Sequence, residues 1–139
     1  MPAYAVGLCA VLRQKPGTVW TSVDGWSEQF SLFERVGELA VREVEGDDFP
    51  PRIGEPRALE LARRGLFEII LRRRGQIGKP VIEAVEGIRL YHTPVWVCYR
   101  RRRKRLDLEV LDGYTGDRAG AKTRVAVLDA LIAVSKKTT

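Results

Sequence analysis

Apolar residues change their spacing at Pro56, and that switch constrains the fold more than any single motif does. Beyond it Ala58, Ala62, Leu66, Ile69 and Ile70 recur at helical intervals, and Phe67 and Leu71 widen the stripe. A helix over 56–74 with a heavily buried second half is therefore expected. Pro56 suits the first turn and Glu55 complements the dipole there. Arg72, Arg73 and Arg74 complement the other end, and Gly75 ends the helix. That placement gives the arginine triplet a structural role.

Everything before the switch reads as strand and turn. Residues 4–12, YAVGLCAVL, are apolar on both faces and predict a central strand. Pro16-Gly17 signals a turn, and 18–23 a second strand. Asp24-Gly25 signals a tight turn, followed by a strand with Trp26, Phe30 and Leu32 on one side. Residues 38–44 read as another strand, and the prolines and glycines of EGDDFPPRIGEP as a loop.

After the first helix, 80–92 is strand-like with a bend at Gly87, and Pro94 opens the next strand. The chain closes with a second helix, 118–134, capped by Asp117, with Ala121, Val125, Leu128 and Ile132 as its buried stripe. The expected architecture is α+β, with about seven mostly antiparallel strands packed against two helices. It is one domain, 1–139, with a strand-rich half (1–46) and a helix–strand–hairpin–helix half (55–135).

Between 95 and 112 an apolar strand runs into Arg100, Arg101, Arg102, Arg103, Lys104 and Arg105, then resumes. A four-residue loop at 101–104 would pair Tyr99 with Leu106, Val97 with Leu108 and Val95 with Val110 on one face. The other face would pair Arg100 with Arg105, Cys98 with Asp107 and Trp96 with Glu109. The arginines then occupy an exposed tip, which also discourages unwanted strand association. Residues 11–27 and 99–115 align without gaps as strand, basic turn, strand and Asp-Gly-aromatic-hydroxyl, matching Arg13 to Arg101 and Lys15 to Arg103. Chance, or the shared demands of two hairpins, accounts for this echo better than duplication does.

The order ALELARRG, PVIEAVEG, PVWVCYRRRRKRLDLEVLDGYTG, ending in Asp112-x-x-Thr115-Gly116, resembles the PepSY-type module over roughly 56–116. The resemblance implies a helix on a small antiparallel sheet and a non-catalytic role, commonly linked to peptidase regulation. Gly113 and Tyr114 depart from the family's motif.

Catalytic signatures are absent from the sequence: there is no Gly-x-Ser-x-Gly, phosphate-binding loop or dinucleotide fingerprint. His92 is the single histidine, Asp24 and Asp112 precede glycines as turn residues do, and Glu83 and Glu86 fall on opposite faces of one strand. No Cys/His spacing suggests a metal, and no cofactor is expected. A small enzyme with scattered catalytic residues stays open as an alternative. Cys9 and Cys98 read as buried free thiols of a reducing, cytoplasmic protein, no apolar run is long enough to span a membrane, and the N-terminal stretch reads as a strand.

Binding is what remains. A net charge of +6 permits acidic partners, although EVEGDD at 43–48 is a local negative patch. Trp20 and Trp96 lie on strand faces that otherwise carry polar residues, as interface anchors do. The expected function is a non-catalytic interaction module, a regulatory or accessory subunit that binds a protein partner or itself. RNA or DNA binding through Arg100–Arg105, with Arg13 and Lys15, is the alternative.

Overall fold

The computed structural model describes residues 1–12, 15–34, 36–40, 49–72 and 81–137. Its elements are β1 (Pro2–Leu12), β2 (Lys15–Asp24), β3 (Phe30–Leu32), a 3-10 turn (Val36–Glu38), α1 (Glu55–Arg72), β4 (Val81–His92), β5 (Val95–Arg102), β6 (Arg105–Asp112) and α2 (Ala121–Lys137). The class is α+β, with two helices and six strands among the described residues, where about seven had been expected. Of the strand expected at 38–44, Glu38 ends the 3-10 turn and 41–44 lie outside the described residues. Only three residues of the expected third strand are extended, because Trp26 and Ser27 are bound into the Asp24 turn.

Packing divides the chain into two compact units, one of Pro2–Glu43 with Pro51–Tyr91, the other of Met1, Val44–Pro50 and His92–Thr139. The first unit holds a four-stranded sheet in the order β3-β2-β1-β4, with β1 inside it as its two apolar faces require. β1 and β2 are antiparallel from Ala3↔Asp24 to Leu12↔Lys15. Tyr4, Val6, Leu8 and Ala10 of β1 and Val23 of β2 share a core with Ala58, Ala62, Leu66 and Ile70 of α1. Thr21 is enclosed on the same side and donates its hydroxyl to the Val6 carbonyl, 2.9 Å away. The helix keeps its predicted stripe, but Phe67 and Leu71 face outward, so its second half is buried on one side only.

Gly65 sits inside α1, where glycine costs about 1 kcal/mol relative to alanine. The Phe30 ring explains it: a Cβ on Gly65 would lie 2.5 Å from that ring. Gly65→Ala should therefore destabilise by about 1–3 kcal/mol in urea titrations, against its helix propensity. Adding Phe30→Ala should turn the same Gly65 change favourable.

Val85 and Ile88 of β4 both join the core side, whereas Glu86 and Arg89 both reach residues of the opposite face. Period-two alternation therefore slips by one residue around Gly87, where the bend was expected.

In the other unit, β5 and β6 form an antiparallel hairpin running from Val95↔Asp112 to Arg102↔Arg105. The turn is only Arg103-Lys104, two residues shorter than expected. Val97 faces Val110, Tyr99 faces Leu108, Cys98 faces Glu109 and Trp96 faces Leu111. A shift of two leaves every side chain on its predicted face, which is why the apolar pattern could not reveal it. Arg103 takes a left-handed φ of 55°. That conformation costs a non-glycine residue about 1–2 kcal/mol, so Arg103→Gly should raise stability by about 1 kcal/mol. An unchanged urea midpoint would contradict it.

α2 packs against β6 and buries Ala126, Val127 and Ala130. Val125 and Ile132 of the expected stripe are exposed. The helix begins at Ala121 and not 118, with Arg124 donating its N–H to Gly120 O; Asp117 instead returns to β6.

Each unit repeats one backbone device. Asp24 Oδ1 accepts the N–H groups of Trp26 and Ser27, each at 2.8 Å. Asp112 Oδ1 accepts those of Tyr114 and Thr115, at 2.7 and 3.1 Å. Gly25 donates to Pro2 O at 3.0 Å, and Gly113 to Pro94 O at 2.8 Å. The fifth residue of each loop has positive φ, Glu28 at 61° and Gly116 at 76°. The chain then returns along the strand it left, with Ser22↔Ser31 in one unit and an Ala119 N–H to Val110 O bond in the other. The basic runs do not correspond: counted back from the aspartate, β2 has ten residues and β6 eight, so Lys15 opens its strand whereas Arg103 lies in the turn before β6.

Candidate functional site

The β5–β6 hairpin loses its cover toward its tip. Val110 is buried, Val97 and Leu108 are half-buried, and Tyr99 is 60% exposed. Tyr99 was expected to be committed to the apolar face; it is on that face, but beyond the end that is covered. On the opposite face Trp96 is 66% exposed, beside half-buried Cys98 and Leu111.

The arginines divide into two groups. Arg100 pairs with Glu109 at 3.1 Å, and Glu109 also takes Arg118 at 2.7 Å, so this face carries a network with one acid between two cations. Arg124 of α2 reaches Asp107 at 3.5 Å. Arg101, Arg103, Lys104 and Arg105 are exposed and have no acidic partner among the described residues. The Arg102 side chain lies outside the description. The hairpin thus places a cluster of uncompensated cations within one strand-length of two exposed aromatic rings, an arrangement suited to acidic groups and flat or apolar surfaces.

Arg13 lies outside the described residues, as does the side chain of Lys15, whose backbone opens β2. Trp20 belongs to the other unit and is half-buried. Its ring lies across Gly7, where a Cβ would come within 2.9 Å of it, and the Arg89 guanidinium sits 5.7 Å from the ring centroid. Trp20 therefore packs on its own sheet. Near it Glu86 accepts from Thr18, and Tyr91, stacked on Phe33, shares a hydrogen bond with Ser22. Burial, with a smaller push from Asp24, raises the Tyr91 phenol above its ordinary range against the opposing Ser22 bond.

Sequence reasoning missed Tyr99, Tyr114 and the Glu109–Arg118 pair. The exposed Tyr114 follows Asp112 in the turn, and its position in that turn was the one available signal. His92 is half-buried at the end of β4. Among the described residues no three His, Cys, Asp or Glu side chains are placed to hold a metal, and no helix is long and apolar enough to cross a membrane. Cys9 and Cys98 are free and half-buried. Compared with known proteins, the chain matches no family model, no curated protein and no solved structure.

Proposed function

We propose that this chain is a non-catalytic interaction module, an accessory or regulatory subunit that docks a protein partner through the β5–β6 hairpin. The observation that carries this reading is Trp96: a large ring, 66% exposed, on a face whose neighbouring charges are already paired. An anchor of this kind fills a partner's pocket while the paired charges form a polar surround. The helix–strand–hairpin order over 56–116, which resembles the PepSY-type module, agrees with a regulatory role, and the two free thiols agree with a reducing, cytoplasmic setting.

A second reading, nucleic-acid binding, is favoured by Tyr99, exposed beside Arg101 where a base could stack while cations hold phosphates. Purification with and without a high-salt wash separates the two. A stoichiometric protein that survives salt supports the first reading; nucleic acid that leaves with salt supports the second. In the second case, changing Arg101, Arg103, Lys104 and Arg105 to serine should flatten the slope of log affinity against log salt by about 3–4 units.

A further inference from the structure

The repeated device gives each unit a hairpin with an outer edge, and in the first unit that edge is occupied. Pro2 bonds to Gly25 of β2, so the even residues of β1 bond toward β2 and the odd ones turn toward β4. In the hairpin unit Pro94 bonds to Gly113 in the same way. The even residues of β5 therefore bond toward β6, while Val95, Val97, Tyr99 and Arg101 direct their N–H and C=O groups away from it. Among the described residues β5 pairs only with β6.

We infer that the outer edge of β5 receives an extended, acid-ended segment of a partner protein as an added antiparallel strand. This rests on the protein-partner reading and specifies how that partner binds. Three features select the occupant. The edge is the counterpart of the one that β4 fills beside β1, so a strand fits it. Trp96 and Tyr99 stand exposed on opposite faces of β5, so an added strand would be flanked by a ring above and a ring below. The cations crowd one end: Arg101 with the turn residues Arg103 and Lys104 favours Asp or Glu at the N-terminal end of an antiparallel segment. A second copy of β5 laid antiparallel would set its own arginines at the far end, beside Val95, and would bring no acidic residue to Arg101, Arg103 and Lys104.

The test uses the whole chain and the capped peptide Glu-Glu-Val-Thr-Val-Thr-Val, with amide hydrogen exchange read residue by residue. In the free protein the Val97, Tyr99 and Arg101 amides should exchange fast and the Cys98 and Arg100 amides slowly. Saturating peptide should slow the first set. Replacing both glutamates by lysine, or N-methylating alternate valines, should weaken binding about tenfold or more. Tyr99→Pro should bind about tenfold more weakly than Tyr99→Ala, because only proline removes the outward N–H. Slow exchange of Val97 and Tyr99 in the free monomer would overturn the inference, since the edge would already be taken within the chain. Protection that grows with protein concentration alongside a sedimenting dimer would also overturn it, in favour of a second copy. Equal binding of the lysine peptide would remove the acidic partner. If Trp96→Ala weakens a co-purified partner while Tyr99→Pro and Tyr99→Ala bind that partner alike, the partner reading stands and strand addition fails.

Discussion

Leu66→Asp should abolish cooperative folding of the β1–β4 unit, while Leu71→Asp, five residues along the same helix, should move the urea midpoint very little. Leu66 is 2% exposed and packs in the core with Val6, Leu8 and Ala62; Leu71 is 54% exposed. A carboxylate at 66 would lose its water with no partner to replace it. Either its charge is buried, or its proton is retained at a cost in free energy. Lost leucine burial adds about 2–3 kcal/mol. Together these approach the whole stability of a typical domain, about 5–15 kcal/mol. At 71 the carboxylate stays in water, and the expected change is within about 0.5 kcal/mol. Loss of the urea transition in both variants would mean that the outer side of α1 is covered, as the wide apolar stripe suggested.

Gly113→Ala should be the most damaging single-methyl change in the hairpin unit. A Cβ there would lie 2.5 Å from Pro94 O, the acceptor of the Gly113 N–H bond. The obstacle is backbone, so relief requires parting the ends of β5 and β6. Overpacking of about 1–3 kcal/mol plus a weakened bond of about 1 kcal/mol gives an expected loss of about 2–4 kcal/mol. Gly25→Ala meets Pro2 O at 2.9 Å and Pro51 Cβ at 3.0 Å, so its loss should be smaller. Urea titrations showing Gly25→Ala as the worse variant would contradict the close approach at Pro94.

These residues also mark where the sequence was legible. The buried stripe Ala58, Ala62, Leu66 and Ile70 and the interior place of β1 follow from apolar spacing, which records burial directly. The faces of the hairpin were legible for the same reason; its register was not, because a shift of two residues preserves every face. In α2 apolar side chains surround most of the helix, so spacing could not choose between Val125 with Ile132 and the buried Ala126, Val127 and Ala130. Gly65 and Gly7 make sense only against Phe30 and Trp20, partners distant in sequence. At the candidate site the basic tip was legible as an exposed run. The exposure of Tyr99 was not, since alternation gives the face of a residue but not how far along that face the cover extends.

The hairpin as a docking surface is tested most directly by Trp96→Ala, read as affinity for a co-purified protein partner with thermal stability measured on the same sample. Trp96 is 66% exposed, so little folding energy depends on it. The account predicts affinity weaker by about 2 kcal/mol, roughly thirtyfold, with an unchanged melting temperature. Unchanged affinity with a lowered melting temperature would contradict it and make Trp96 a packing residue.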